Sequence, residues 1–152
     1  MPRHVFTSVA DLGAAVGTSL GPTAWVEVTQ GMVDDFADVT GDHQWIHVDV
    51  ERAEASPYGG TIAHGYLTLS MLPSFASELY RVTAGSARLN YGLEKVRFPA
   101  VLPVGSKVRG SATIKEVRHV AAGTQLFISW IVEAKEASRP VCVAESITLV
   151  IP

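Results

Sequence analysis

The run Gly65-Tyr66-Leu67-Thr68-Leu69-Ser70-Met71-Leu72-Pro73-Ser74-Phe75-Ala76-Ser77-Glu78-Leu79-Tyr80 decides the fold. Its apolar residues, among them Tyr66, Leu67, Leu69, Met71, Leu72, Phe75, Ala76 and Leu79, cover nearly every side of a helix. A helix that is apolar all round needs protein around all of it. Pro73 lies inside the run, and a residue without an N–H whose ring crowds the preceding turn predicts a kink or a break. Beyond the run the chain changes character. Ala87 to Phe98, Lys107 to Val117, Gln125 to Ala134 and Val141 to Ile151 are rich in Val, Ile and aromatics. Pro103-Val104-Gly105, Ala122-Gly123 and Ser138-Arg139-Pro140 punctuate them. Short turns join the last three runs, which predicts an antiparallel meander. One buried helix followed by a long antiparallel sheet is an α+β layout, and the simplest cover for the helix is the sheet itself, curled around it.

Upstream, Ser8 is placed to cap a short helix through Ala15, closed by Gly17. Thr23 to Thr29 alternates as a strand does. Thr29 or Gln30 then opens a helix with Met32, Val33, Phe36 and Ala37 on one face, and Gly41 is placed to end it. Asp42 to Gly65 is irregular, apart from a short helical segment near Val50 to Ala55 that Asp49 would cap. No repeat or low-complexity linker divides the chain, so residues 1–152 are expected to form a single domain. A chain of this length buries roughly two-thirds of its unfolded surface.

With 47% apolar and 18% charged residues the composition is that of a packed core, and it excludes disorder. A net charge of -3 without a basic stripe or polybasic run argues against nucleic-acid and membrane-surface partners. The longest greasy stretch, near Leu67, is broken by Thr68, Ser70, Pro73 and Ser74, so no membrane span is expected. The first residues carry no signal-peptide apolar run, and Cys142 is the one cysteine; a reducing cytoplasm is the expected setting. Within Val141-Cys142-Val143-Ala144, Cys142 reads as a small buried hydrophobe rather than a nucleophile.

Reactive side chains are densest in Thr40-Gly41-Asp42-His43-Gln44-Trp45-Ile46-His47-Val48-Asp49, where four titratable groups fall within eight positions. Asp42 and His47 are five residues apart, a spacing that shares no face of a straight helix. A turn at Gly41-Asp42 lets them converge, with Trp45 and Ile46 expected as an apolar wall. Such a pair can serve as general acid and general base. His43 and His47 are four apart, as in a metal pair, but the run has no Glu beside His43 and Cys142 is distant in sequence, so no metal site is expected. The second signal is Thr61-Ile62-Ala63-His64-Gly65-Tyr66, where the central helix begins. The free N–H groups of a first turn form a natural anion site, and Gly65 has no side chain to block a ligand. A developing oxyanion is expected at the Gly65 N–H, with His64 holding the loop before it, while Tyr66, Met71 and Phe75 read as core packing that can also line a substrate tunnel. Ser70 is a further candidate partner for Asp42. Lys95, Arg97, Lys107, Arg109, Asn90 and Tyr91 read as a solvated strand face.

Together these motifs carry a resemblance. Thr40-Gly41-Asp42 followed by His47 and Ala53, then Ala63-His64-Gly65, resembles the MaoC-like, R-specific enoyl-CoA hydratases. Val96-Arg97-Phe98-Pro99-Ala100 through Val104-Gly105 resembles the same family's strand and turn, so the likeness runs from about Val26 to Val150. The family usually has Asn-Pro where this chain has Gln44-Trp45, a form closer to its nodulation-protein-like members. The resemblance implies a hot-dog fold, a curved antiparallel sheet wrapped around a long central helix. It implies hydration of a trans-2-enoyl-CoA to the (3R)-3-hydroxyacyl-CoA, or the reverse dehydration. Asp42 and His47 would be the acid–base pair, with His47 as base and Asp42 as acid or the roles exchanged. Gly65, His64 and Tyr66 would face the substrate. No cofactor beyond the acyl-CoA or acyl-carrier-protein thioester itself is implied.

Two other functions suit the same scaffold, an acyl thioesterase and a non-catalytic acyl-binding subunit. The presence of both Asp42 and His47 and of the His64-Gly65 step favours the hydratase. A homodimer is expected, because one curled sheet over one helix leaves an edge strand and an open helix face that a second copy would cover.

Overall fold

The computed structural model describes residues 1–152. In chain order the elements are β1 (His4–Phe6), α1 (Val9–Ala14), β2 (Ser19–Leu20), β3 (Val26–Glu27), α2 (Gln30–Thr40), α3 (Trp45–Val48) and α4 (Val50–Glu54). Then come α5 (Gly65–Ser70), α6 (Leu72–Leu79), β4 (Tyr80–Val82), β5 (Ala87–Arg97), β6 (Lys107–Val120), β7 (Gly123–Ala134) and β8 (Cys142–Ile151). The main sheet has six strands in the order β2-β6-β7-β8-β5, with β3 also on β6, and all its pairings are antiparallel.

The expected meander of β6, β7 and β8 is present. Strand β6 shows why one face of the sheet turns inward: Val108, Ala112 and Ile114 are buried at alternate positions while Arg109, Ser111 and Thr113 lean outward. Those side chains join Leu126, Ile128, Trp130 and Val132 of β7 and Leu67, Met71, Leu72, Phe75 and Leu79 of the helix in one core. Burying a side chain such as that of Phe75 contributes about 1.5–3 kcal/mol. Sheet and helix therefore hold each other in place, and the hot-dog layout follows from that packing.

The central helix is in two pieces, as Pro73 requires. α5 ends at Ser70, Met71 keeps helical angles (φ -80°, ψ -12°), and Pro73 sits in the first turn of α6, where its missing N–H costs least. The expectation that protein covers this helix on all sides is corrected. Tyr66, Ser70, Pro73, Ser74 and Ser77 form an exposed stripe, and Tyr66 is 70% exposed. The stripe is rich in serine, which tolerates water, and the sheet lies only on the opposite side.

Other boundaries moved for local reasons. The strand expected over Thr23 to Thr29 shrinks to two residues. Thr23 and Val28 donate their N–H groups toward Gly110 and Ser106 beside the sheet, but Ala24 donates its own to the Glu78 carboxylate at 2.9 Å. Neither α3 nor the short parallel pair that β1 makes with β4 has a local signal in the sequence. Ser8 caps α1 with Asp11 in a reciprocal capping box, Thr29 caps α2, and Asp49 caps α4. No helix is long and apolar enough to cross a membrane. Cys142 is fully buried, and burial pushes its thiol up to about 11, which leaves it a poor nucleophile at neutral pH.

Candidate active site

Gly41 ends α2 in the left-handed region (φ 80°), its N–H donating to Ala37, and so turns the chain back on itself. Asp42 stands just past that turn, half-exposed. One turn of helix, α3, then carries His47 inward, where it is 7% exposed. A polar atom from each of Asp42, His47 and His64 lies within 4.8 Å of the other two. The turn thus brings together the two residues that the sequence analysis paired and adds His64.

Hydrogen bonds to carbonyls fix both imidazoles. His47 Nδ1 lies 2.6 Å from the carbonyl oxygen of Ile62. A carbonyl only accepts, so Nδ1 carries the proton and the neutral ring has a bare lone pair at Nε2. His64 Nε2 lies 2.9 Å from the carbonyl oxygen of Asp42, so that nitrogen is the donor and Nδ1 is bare. His64 Nδ1 is buried and has no hydrogen-bond partner. The two rings stack at 3.8 Å between centroids and 23° between planes, and Phe36 packs on the outer side of His64 at 5.0 Å. His64, 3% exposed, thereby ties the Asp42 loop to the His47 ring.

A cavity of about 180 Å³ opens beside His47. Gly65 and Thr68 of α5 line it, with Phe98, Val101, Leu102 and Val141 as an apolar wall. The N–H groups of Gly65 and Tyr66 donate to no protein acceptor. A larger groove of about 380 Å³, between Trp25, Ile131 and the Lys135–Pro140 turn, contains none of these groups and is not part of the site.

Several expectations are corrected here. Trp45 and Ile46 do not line the cavity. Trp45 and His47 are two residues apart on α3, about 200° around the helix, so Trp45 faces away and stacks under the Arg52 guanidinium at 4.3 Å. Gly65 lines the cavity, as expected of a residue that leaves a ligand's approach open, and its missing side chain serves a second purpose as well. A Cβ there would stand 3.0 Å from the Phe98 ring, so the glycine makes room for Phe98. Tyr66 lies outside the cavity with its ring edge against Phe98. The Ser70 hydroxyl donates to the Tyr66 carbonyl and not to Asp42. His43 points to the surface, 2.8 Å from Asp38, whose carboxylate raises the imidazole above its usual range.

Sequence reasoning missed Gln30, Thr61 and Phe98. Phe98 stands in the sequence only as part of a strand motif, and Thr61 only as the first residue of the Thr61–Tyr66 run. Gln30 looked like any first-turn helix residue, and the acceptor for His47 is a backbone carbonyl, which leaves no mark in the sequence.

Residues 11–134 match the MaoC like domain family. Over 145 residues the chain is 52% identical to the 3-hydroxyacyl-thioester dehydratase Z of Mycobacterium tuberculosis (strain ATCC 25618 / H37Rv), covering 95% of this chain and 96% of that one. It is 41% identical over 146 residues to the nodulation protein N of Rhizobium leguminosarum bv. viciae, covering 94% and 91%. The fold is similar to that of an (R)-hydratase from A. caviae involved in PHA biosynthesis, with a TM-score of 0.72 at 16% identity over 89% of this chain and 96% of that one. Family match, near-full-length identity and shared fold agree: the chain belongs to the MaoC-like dehydratase family, a family of lyases.

Proposed function

We propose that this protein adds water across the double bond of a trans-2-enoyl-CoA to give the (3R)-3-hydroxyacyl-CoA, and catalyses the reverse dehydration. The observation that carries the reading is the His47 tautomer. With Nδ1–H held by Ile62, the bare Nε2 lone pair can take a proton from water. Asp42, close to that ring, gives its proton to the alpha carbon. The Gly65 N–H donates to the thioester oxygen as enolate character develops. The name of the M. tuberculosis relative, a 3-hydroxyacyl-thioester dehydratase, supports the same substrate class. His64 supports the pair from behind.

The reaction is redox-neutral, and we propose that it runs without a metal or other cofactor. Imidazole lone pairs lie in the ring plane, and two near-parallel rings 3.8 Å apart do not aim theirs at one point. A zinc ion needs each nitrogen at about 2.0–2.1 Å along its lone pair. The test uses crotonyl-CoA with the purified protein. Loss of the conjugated enoyl absorbance without release of free thiol is expected, and full activity should survive exhaustive chelation. Thiol release would instead identify a thioesterase, and an unchanged spectrum with retained ligand would identify an acyl-binding subunit. Activity lost on chelation and restored by zinc would overturn the metal-free mechanism.

We also propose a homodimer in a reducing cytoplasm. β5 is an edge strand exposed on both faces, bulged at two points of its pairing with β8, with Leu89 51%, Tyr91 60% and Leu93 46% exposed, and an unpaired edge carrying exposed apolar side chains invites a second copy. Sedimentation at micromolar concentration should give a dimer, and Leu93→Lys should shift it toward monomer. A wild-type monomer at that concentration would count against the proposal.

A further inference from the structure

Gln30 and Thr61 do not line the cavity; their polar atoms engage each other and the main chain of His47 behind it. Gln30 Nε2 lies 2.8 Å from the backbone carbonyl of His47 and 2.9 Å from Asp34 Oδ1. Both acceptors can only accept, so the amide orientation is unambiguous: nitrogen toward His47 and Asp34, oxygen toward Thr61. The Thr61 hydroxyl donates to Gln30 Oε1 at 2.6 Å. Thr61 precedes Ile62, whose carbonyl receives the His47 Nδ1–H. The Ile62 N–H returns to Ile46 at 3.0 Å, one residue before His47. The loop from Thr61 to Ala63 is held on its far side by Val104 N–H to Thr61 and Ala63 N–H to Leu102.

The result is a closed ring of bonds through Gln30, Thr61, Ile62 and His47. It grips the histidine at its main chain and at its ring together. A satisfied polar network of this kind is stiff, because moving any member leaves a half-buried donor or acceptor unpaired. Thr61 is 7% exposed, so its hydroxyl has little water to turn to.

We infer that Gln30 and Thr61 are positioning residues that fix the distance between the His47 main chain and the Ile62 carbonyl, and so hold the His47 ring with its Nε2 lone pair facing the cavity. Gln30 spans α2 to both sides of this gap, and no other side chain does so. The inference rests on the proposed role of His47 as base, and it has a second readout that does not depend on turnover.

Gln30→Met keeps length and removes all three bonds; Thr61→Val keeps shape and removes the hydroxyl. Each should lower kcat on crotonyl-CoA about tenfold or more with KM nearly unchanged, since groups that only orient a base act on the chemical step. In a His47→Asn background neither change should lower turnover further, because the group they position is gone. A loss of equal size in that background would mark a general structural role and overturn the inference. So would full activity in both folded single variants. Imidazole nitrogen NMR supplies the independent test. Wild type should show His47 as one fixed Nδ1–H tautomer, and Gln30→Met should show exchange between tautomers. An unchanged His47 signal in both variants would refute the positioning role even if the wild type hydrates nothing, an outcome that would by itself sink only the proposed reaction. If Gln30→Met fails to fold, Thr61→Val carries both readouts.

Discussion

Asp42→Asn and His47→Asn are each expected to lower kcat by about 10²- to 10⁴-fold while leaving the fold intact, the usual contribution of one positioned acid or base. Asn at position 42 keeps the side-chain oxygen that accepts from the Gln44 N–H, and the bond from His64 goes to the main chain. Asp42 is half-exposed, so losing the charge should cost little stability. At position 47, Asn places an amide nitrogen where Nδ1 stood and can still donate to Ile62, but it has no atom at the place of Nε2. The two changes therefore remove titrating groups and spare the scaffold. The double variant should lose far less than the product of the single losses, because both groups act on one transition state. His43→Gln is the control. It breaks only a surface pair with Asp38, worth little in water, and should leave turnover within a few-fold of wild type. Turnover abolished by His43→Gln and retained by His47→Asn would show that the wrong imidazole has been assigned.

The parts of this structure that were legible in the sequence are those where local physics and tertiary packing agree. The caps at Ser8, Thr29, Gly41 and Asp49 lie where side-chain chemistry demands them, and Pro73 breaks the central helix as its missing N–H requires. The three-strand meander follows from short turns between β-branched runs. What stayed hidden depends on contacts far apart in the chain. α3 is a single turn, too short for a periodicity signal, yet it determines that His47 faces in and Trp45 faces out. The serine stripe of the central helix is present in the sequence, but the apolar residues on either side of it outweigh it in any reading of periodicity. The Gly41 turn makes the convergence of Asp42 and His47 legible, but their reading as an acid–base pair rests on the resemblance to the MaoC-like family. The geometry of the pair rests on the Ile62 carbonyl, and its support on Gln30, thirty-one residues from Thr61. Neither has a local signature.

Gly65 separates two roles that one residue can play, and a pair of substitutions tells them apart. In wild type the Gly65 N–H has no protein acceptor, while the space where a Cβ would stand is taken by Phe98. Gly65→Ala alone would push on the Phe98 ring at 3.0 Å and reshape the cavity, so its effect would be ambiguous. Phe98→Leu removes that obstacle. In the Phe98→Leu background, Gly65→Ala keeps the N–H and Gly65→Pro removes it. The backbone accepts proline there: residue 65 opens α5, where the N–H has no helical partner, and His64 already has the extended angles (φ -61°, ψ 135°) that a residue before proline prefers. Both variants should fold alike, as thermal melting will show. Gly65→Pro should nonetheless have a kcat about 10²- to 10³-fold below that of Gly65→Ala, the usual cost of one lost oxyanion donor. Binding of the enoyl substrate in the ground state should differ much less, because the oxygen carries its full charge only as water adds. If the two variants turn over crotonyl-CoA at similar rates, the Gly65 N–H does not stabilise the oxyanion. The glycine would then serve Phe98 alone, and the neighbouring Tyr66 N–H, equally free of a protein acceptor, would be the donor to test.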